Sequence, residues 1–225
     1  DCDPQASLTI SLGYAQPDEL PVTLATLMGK VLMDKPILPG EGILHHAEGV
    51  DLLPGSIEMS GLEVSLVNAM SRESILKQVL AQAKKQYTHI LIDCMPSLGM
   101  LTINALAAAH QAIVPVQAHY LAMEDMADTL EVIQTIRQGI NPKLAVGGIL
   151  LTMYQGRTNL CRGIQDEIQA DYGNAFTVFS SPIDFSIRVA EHPIGAASIF
   201  AYEPNNPAAK AYSAVAQEVL SYGQK

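Results

Sequence analysis

Short, continuous apolar runs constrain the fold of this chain more than any other feature of its sequence. Four runs have the composition of buried strands, at residues 89–93, 112–116, 146–151 and 176–179, and residues 50–53 form a weaker fifth. Runs of this length without polar alternation are typical of parallel strands that are covered on both faces. We therefore expect strands at these positions.

Helical patterns lie between these runs. Apolar residues recur at helical spacing in residues 76–83, 101–110, 126–140, 160–168 and 212–222. Alternation of strands and helices predicts an α/β fold, with a doubly wound, mostly parallel sheet flanked by helices. The length of 225 residues predicts one domain over residues 1–225.

Charge and cysteine content exclude several classes of protein. The net charge of −10 argues against binding polyanions through bulk charge, although a local basic patch could still do so. The three cysteines lack paired spacing, which argues against a disulfide framework or a structural zinc site. The most apolar stretch, residues 98–116, is interrupted by polar residues and a proline, so we expect no membrane span. Reduced thiols in a cytoplasmic protein are the simplest interpretation.

The chain begins at Asp1, and its first methionine is Met28. Translation does not begin at aspartate. We therefore expect that a preceding segment has been lost, whether by processing or because the gene record is incomplete.

The segment Asp1-Cys2-Asp3-Pro4-Gln5 carries two carboxylates at positions i and i+2. In an extended chain such residues point to the same side, and the proline then turns the chain. Ligands of open α/β sheets bind at the carboxyl ends of strands, which makes these carboxylates candidate site residues. Taken alone, the segment is also an ordinary Asp-Pro turn at a strand end.

A second motif is Ile90-Leu91-Ile92-Asp93-Cys94-Met95-Pro96-Ser97, followed by Gly99 and a helix that carries Asn104. An apolar strand that ends in aspartate is the pattern of a Walker B carboxylate, which holds the magnesium shell of a nucleoside triphosphate. Many buried strands end in aspartate, so this motif alone is weak.

Together the two motifs resemble the ParA branch of the ParA/MinD partition ATPases. The resemblance is closest from Ile90 to Leu106, and it extends over nearly the whole chain, with residues 13–60 matching least. It implies a fold like that of the P-loop NTPases and an ATP-hydrolysing protein that segregates plasmids, chromosomes or mobile elements. It also implies ATP and Mg²⁺ as cofactors, a nucleotide-dependent homodimer and a ParB-like centromere-binding partner.

The same resemblance implies roles for individual residues. Asp3 would polarise the attacking water, while Asp93 and Asp1 would order the magnesium ion through water. The nucleotide base would lie beside Thr152 and Met153 in one turn and beside Ile183 and Asp184 in another. A cytoplasmic location follows, with association with the nucleoid as a further option.

The family's defining deviant P-loop, KGGVGKT, is not found in these 225 residues, and neither is the strand that leads into it. Gly147-Gly148 is followed by Ile149 and Gly29-Lys30 by Val31, so neither glycine pair is a phosphate loop. We expect that this chain alone neither hydrolyses ATP nor folds cleanly, because apolar flanks and a strand edge would be exposed.

Smaller departures concern single positions. Met95 stands where the family usually has proline, Gln155 where aspartate is common, and Asp184 where proline is frequent. The last two weaken the assignment of the base site.

The remaining candidates each have a plain structural alternative. Arg157, Arg162 and Arg188 are candidates for nonspecific DNA contact, or surface and capping arginines. Cys2 and Cys94 are better interpreted as ordinary thiols than as ligands of an iron–sulfur cluster. His45-His46 is better interpreted as a solvated loop than as a metal site.

Two further hypotheses come from other classes of function. The first is a nucleotide-independent interaction module, against which the presence of Asp1, Asp3 and Asp93 argues. The second is a MinD-like membrane-cycling ATPase, which requires a basic amphipathic C-terminal helix. The tail at residues 218–225 has one lysine and no such stripe.

Overall fold

The structure is a computed structural model that describes residues 1–222. Within it the chain forms two compact units, Asp1–Ala109 and His110–Lys225. The prediction of a single domain stays a prediction. Residues 223–225, which belong to the tail that bears on the MinD-like hypothesis, lie outside the described residues.

The first unit is mainly helical. Its strands pair only as a short antiparallel hairpin, in which Leu44 pairs with Leu52 and His45 with Asp51. The elements are α1 (Ser7–Ser11), α2 (Leu24–Leu32), β1 (Leu44–His45), β2 (Asp51–Leu52), α3 (Glu58–Leu66), α4 (Ile75–Val79) and α5 (Met100–Ala108), with 3₁₀ turns at Pro17–Glu19, Arg72–Ser74 and Ala83–Lys85.

Four of these helices, α2 to α5, enclose the core of the first unit. Its fully buried side chains include Met28, Met59, Leu66, Leu76 and Leu101. Helix α2 begins in a capping box: the Thr23 hydroxyl accepts from the Thr26 amide, and the Thr26 hydroxyl accepts from the Thr23 amide. Such caps fix where a short helix starts.

The expected strand at residues 89–93 is wrong, because the segment has no regular ladder partner within residues 1–222. Among the described residues, its backbone makes one hydrogen bond to the backbone of another segment: the Cys2 amide donates to the Asp93 carbonyl at 2.8 Å. Ile90 and Ile92 pack against the core, whereas Leu91 between them is 87% exposed. The apolar run predicted burial on both faces, but the structure buries only one. The expected strand at residues 50–53 is present only as the two residues of β2, in antiparallel pairing.

The second unit is an α/β unit around two long strands. Its elements are β3 (Gln111–Gln117), α6 (Tyr120–Gly139), β4 (Ala145–Thr152), α7 (Asn159–Tyr172), α8 (Ile187–Glu191), α9 (Ile199–Tyr202) and α10 (Pro207–Tyr222), with a 3₁₀ turn at His192–Gly195. The last turn of α6 closes at Gly139, as its sequence predicts.

Strands β3 and β4 pair in parallel, with Gln111 opposite Ala145 and Gln117 opposite Thr152. A register shift after Ala112 accommodates one extra residue in β4. A side chain at Gly148 would lie 2.5 Å from the ring of Phe179, so glycine is needed there for space. The parallel pairing of these two strands confirms that part of the predicted sheet.

Residues 177–185 run along the other edge of β4 as an irregular third strand. Ile149 and Val178 form one parallel bridge, and Tyr154 and Asp184 form another. Between the bridges lies Pro182, which has no amide hydrogen to donate, and the ladder is interrupted there. Helix α10 packs on this sheet through Ala208 and Val215.

The α/β fold class is therefore confirmed, although the sheet among the described residues is smaller than the sequence predicts. No helix within residues 1–222 has both the length and the apolar character needed to cross a membrane.

Candidate functional site

The first candidate site begins at the turn formed by residues 1–6. The Ala6 amide donates to the Asp3 carbonyl at 2.9 Å, and the Gln5 amide donates to Oδ1 of Asp3 at 2.9 Å. This is the local bonding expected of an aspartate before a proline. It leaves Oδ2 of Asp3 without a hydrogen bond among the described residues. Asp3 therefore has one carboxylate oxygen available to a ligand.

Asp1 is held quite differently from Asp3. Its residue is only 9% exposed, and both carboxylate oxygens accept hydrogen bonds. Oδ1 accepts from the Asp3 amide at 3.1 Å, and Oδ2 accepts from the amide and the hydroxyl of Thr9, at 2.9 and 2.8 Å. The i, i+2 spacing predicts two carboxylates on one side, but the structure turns one of them into the fold.

Asp93 lies beside this turn, because the Cys2 amide donates to its carbonyl at 2.8 Å. The pKa of its carboxyl is raised, first by partial loss of solvent around the group and then by the negative charge of Asp3. The amino group of Asp1 acts in the opposite direction. The two acidic residues that the sequence singles out for metal and water are therefore close enough to repel each other.

The two cysteines of the motifs stay protonated in this environment. Burial, reinforced by the nearby negative charge, raises the pKa of Cys2 to about 12 and that of Cys94 to about 11. Their nucleophilicity is therefore low, because attack requires the thiolate. The interpretation of both cysteines as ordinary thiols stays a prediction.

The loop after Asp93 is fixed from two sides. The Thr102 hydroxyl donates to the Ser97 carbonyl at 2.6 Å, and the Leu101 amide donates to Oε1 of Glu63 at 3.4 Å. A side chain at Gly99 would lie 2.0 Å from that same oxygen. The φ of Gly99 is −76°, which any residue adopts, so what glycine provides there is room for the Glu63 carboxylate in its present position.

The donor set of this site fits magnesium. Asp93 and Oδ2 of Asp3 offer hard oxygen atoms that make no hydrogen bond among residues 1–222. Mg²⁺ binds through one or two carboxylates and keeps several waters, so it does not require a full protein cage. The described residues contain no group of three or more metal-ligating side chains, so water would have to supply most of the ligands at this site.

The second candidate site lies at the carboxyl end of β4. The Tyr154 amide donates to the Ile183 carbonyl at 3.0 Å, and the Phe185 amide donates to the Tyr154 carbonyl at 2.9 Å. The structure thus brings Thr152 and Met153 next to Ile183 and Asp184, as expected for residues that share one site. Met153 has a φ of +49° and is 54% exposed. A strained, exposed apolar residue at a strand end indicates a functional position.

A cavity of about 450 Å³ opens beside Met153. Polar groups line it from the end of β3 and from the loop before α7, and apolar side chains line the rest. They include Gln117, His119, Met153, Gln155, Leu160 and Phe185. Concave sites with a few placed polar groups at the carboxyl ends of parallel strands are typical ligand sites.

Comparison with known proteins identifies the family. The sequence matches the family described as "AAA domain" over residues 1–146. It is 33% identical over 223 residues to the sporulation initiation inhibitor protein Soj of Bacillus subtilis, covering 99% of this chain and 85% of that protein. It is 36% identical over 225 residues to the chromosome-partitioning ATPase Soj of Thermus thermophilus, covering 100% of this chain and 83% of that protein.

The chain belongs to the ParA/Soj family of partition ATPases.

A solved structure extends the likeness to the fold of this family. Cobyrinic acid a,c-diamide synthase of Mycobacterium smegmatis, crystallised with ADP and magnesium, is 35% identical with a TM-score of 0.75. The match covers 87% of this chain and 78% of that one. The resemblance inferred from the two acidic motifs is confirmed, and the α/β fold that it implied is that of its solved neighbour.

The arginines proposed for DNA contact differ in their availability. Arg188 pairs with Glu191 at 2.9 Å and with Glu203 at 3.7 Å, and the first of these carboxylates raises its pKa. Arg162 donates to Oδ1 of Asn159 at 2.7 Å and stays exposed. Arg157 is exposed and makes no hydrogen bond or ion pair among residues 1–222. The structure thus favours Arg157 and Arg162 over Arg188 as contacts for phosphate groups.

Sequence reasoning missed several residues that shape these sites. Thr9, Gly55 and Glu63 contact the acidic residues or their loops, but none of them belongs to a motif. Gly55 and Glu63 also come from distant parts of the chain. His119 caps α6 by accepting from the Ala122 amide, and it also lines the cavity. Its position directly after an apolar strand is the one signal that could have identified it.

Proposed function

We propose that this protein binds ATP with Mg²⁺ and hydrolyses it in a partition cycle, with Asp3 and Asp93 at the reacting end. The observation that carries the proposal is the acidic pair itself. Two carboxylates from separate motifs lie on segments that are joined by the bond from the Cys2 amide to the Asp93 carbonyl, and among residues 1–222 Asp93 and Oδ2 of Asp3 accept no hydrogen bond. The chain that carries them is a member of a family of partition ATPases. Two such groups in one place are costly unless a cation offsets their repulsion.

Asp93 would hold the metal through water, and Asp3 would orient the attacking water. The cation supplies charge neutralisation at the transferring phosphate. Asp3 suits its task because the Gln5 amide fixes one of its oxygens and leaves the other free. Phosphoryl transfer depends mainly on such positioning, since little covalent chemistry is left for the protein to do.

The base would occupy the cavity beside Met153. The ring of Phe185 and the polarisable thioether of Met153 suit contact with an aromatic base, while the side-chain amides of Gln117 and Gln155 can bond to its edge. The magnesium-bound ADP in the solved relative supports this class of ligand.

The steps beyond ATP hydrolysis are proposed from membership of the family. We propose a homodimer that forms with ATP and separates after hydrolysis, a centromere-binding partner that stimulates hydrolysis, and cytoplasmic residence with transient association with DNA. The family membership supports these steps. Arg157 and Arg162 are the residues that we assign to DNA contact.

We further propose that the 225 residues alone do not turn over ATP. They contain no Gly-Lys-Thr loop, and the cradle of backbone amides that such a loop supplies is the main source of phosphate affinity. The natural coding sequence upstream of the Asp1 codon is therefore the first thing to determine. An in-frame phosphate loop there defines the protein to be assayed beside the 225-residue chain.

The test measures phosphate release from ATP with and without Mg²⁺. We expect turnover only in the protein with the phosphate loop. Asp3→Asn should abolish turnover while ATP still binds, and Asp93→Asn should raise the Mg²⁺ concentration needed for half-maximal rate. Asp171→Asn, an equal change at an exposed position of α7, is the control and should leave both unchanged.

Each proposal has its own contrary result. ATP turnover by the 225-residue chain would overturn the proposal that these residues alone are inactive, and full activity of Asp3→Asn would overturn the role of Asp3. A start codon close to Asp1 without any phosphate loop would favour the nucleotide-independent interaction module instead, and binding to a partner without ATP would then support it.

A further inference from the structure

Thr9 lies at the centre of a buried network that joins three parts of the first unit. Its residue is 0% exposed. Its hydroxyl donates to Oδ2 of Asp1 at 2.8 Å and accepts from the Gly55 amide at 3.0 Å. Its own amide donates to the same Asp1 oxygen at 2.9 Å. Thr9 therefore connects the Asp1 turn to a loop that is 46 residues away in sequence.

Gly55 packs against the acidic turn, where there is little space for a side chain. A side chain there would lie 3.0 Å from Cγ of Asp1 and 3.0 Å from the Asp3 carbonyl oxygen. The nitrogen of Asp1 donates to the Leu53 carbonyl at 2.9 Å, next to this point. The loop at residues 53–55 thus packs directly against the backbone of the acidic turn.

The remaining oxygen of Asp1 connects the network to Asp3. Oδ1 accepts from the Asp3 amide at 3.1 Å. With three hydrogen bonds on a buried carboxylate, Asp1 is satisfied by the protein itself and has no need of a cation. The backbone of Asp3 is fixed on one side by Asp1 and on the other by the bond between its own carboxylate and Gln5.

We propose that Thr9 is a positioning residue for Asp3 and acts through the Asp1 carboxylate. The Gly55 amide, which donates to the Thr9 hydroxyl, holds that hydroxyl in place. Asp1 then organises the turn instead of holding metal. This inference rests on the proposed function in so far as it names the task of Asp3. A water-orienting carboxylate must be held to within a fraction of an ångström, and a buried hydroxyl–carboxylate contact provides such a constraint.

The first test measures hydrogen exchange of the Asp3 amide in the 225-residue chain, because that amide forms the connecting bond. Thr9→Val keeps the shape of the side chain and removes the hydroxyl. We expect exchange of the Asp3 amide to become faster by about tenfold or more, since two buried hydrogen bonds are lost. The amides of α2 serve as the internal reference for a general loss of stability.

Two variants sharpen this measurement. Thr9→Ser retains the hydroxyl and should bring the Asp3 amide back to within about threefold of its original exchange rate. Thr135→Val makes the same chemical change on the exposed face of α6, where the hydroxyl bonds only to the Glu131 carbonyl. It should leave the Asp3 amide unchanged.

The second test measures turnover in the form of the protein that hydrolyses ATP. Thr9→Val should lower kcat at least about tenfold while KM for ATP and the half-saturating Mg²⁺ concentration stay within about twofold. Thr9→Ser should restore kcat. A purely structural role would also lower the apparent kcat at unchanged KM, by lowering the amount of active protein, so kcat is expressed per ATP-binding site. The loss of kcat in Thr9→Val should persist after this normalisation.

Either test can overturn the inference. Unchanged protection of the Asp3 amide relative to α2 in Thr9→Val would do so, as would failure of Thr9→Ser to restore it. A large rise in half-saturating Mg²⁺ for Asp1→Asn, with Asp3 exchange unchanged, would return Asp1 to the metal. If no form of the protein hydrolyses ATP, the proposed function fails, and the exchange experiment alone still decides whether Thr9 holds Asp3.

Discussion

Single buried polar residues in the first unit hold neighbouring segments in place through their hydrogen bonds. Asn104 shows this outside the acidic turn. Its Oδ1 accepts from the Leu76 amide at 3.1 Å, and its Nδ2 donates to the carbonyls of Arg72 and Met100 at 2.8 and 2.9 Å. A buried amide with all partners present fixes one arrangement of its neighbours, and losing one partner is costly. Here it holds α5, the helix that follows the loop of Asp93, against α4.

Asp93 should make the stability of the protein depend on pH in an unusual direction. Its pKa is raised in the folded state, chiefly by loss of solvent and further by Asp3, so the folded protein binds its proton more tightly than the unfolded chain does. Stability is therefore fully present below the ordinary pKa of an aspartate and decreases as the pH rises through the raised value. We expect Asp93→Asn to be more stable than the unsubstituted protein at neutral pH.

Urea unfolding from pH 3 to pH 8 measures this effect as the difference between the two proteins. The difference should grow with pH, and added Mg²⁺ should reduce it in a protein that binds the ion. Hydrogen bonds lower the pKa values of two other carboxyl groups, Glu41 and Asp51, which therefore act in the opposite direction. Both groups are present in the two proteins, so their effects cancel in the difference. A difference that does not vary with pH would contradict the prediction.

At the scale of elements, contacts between helices fix the loops that carry the acidic residues. Helix α5 has no acidic residue in its first turn and no side-chain cap of its own. Glu63 of α3 supplies the missing carboxylate, in the space that the absent side chain of Gly99 leaves open. Negative charge at a helix N-terminus is stabilising, so one helix completes the start of another.

This contact predicts coupling between two substitutions. Gly99→Ala alone should destabilise the protein by about 0.5–1.5 kcal/mol, because its side chain would displace the flexible Glu63 carboxylate and break its bond to the Leu101 amide. In a protein that already carries Glu63→Ala, the same change should cost much less, since the space is then free. Urea unfolding of the four proteins of this cycle gives the coupling energy.

Gly61→Ala, in α3 with no atom within 4 Å of the added carbon, is the matched control. It should raise stability slightly, as expected for alanine in place of glycine inside a helix. Equal costs of Gly99→Ala in both backgrounds would show that Glu63 does not occupy that space.

For the molecule as a whole, the net charge of −10 opposes DNA, so any DNA contact must depend on a local group of cations. Arg157 and Arg162 flank the start of α7 and are exposed, whereas Arg188 is paired with two carboxylates. Binding through two arginines releases about two counterions and predicts a shallow dependence on salt, with a slope near −2.

Anisotropy of a labelled DNA duplex between about 50 and 200 mM salt measures this slope. Arg157→Ala should weaken binding and reduce the slope by about one unit, and Arg188→Ala should change neither. A larger effect of Arg188→Ala, or no binding at the lowest salt, would contradict the assignment.

The sequence by itself determined the family, the α/β class and the two long parallel strands, and it named candidate residues for both sites. The fold class and the strands depend on local signals, because apolar runs and helical spacing reflect burial along one segment. The expectation that the turns at residues 152–153 and 183–184 share one site came from the resemblance to the family.

Only the tertiary structure decided how each acidic residue is used. The segment at residues 89–93 has the composition of a covered strand, but strand formation requires a ladder partner, and composition does not reveal one. Asp1 and Asp3 look equivalent in sequence, yet one is buried and satisfied while the other keeps a free oxygen. The difference comes from Thr9 and Gly55, and Gly55 reaches the turn only when the chain folds, because its contacts join residues far apart in sequence.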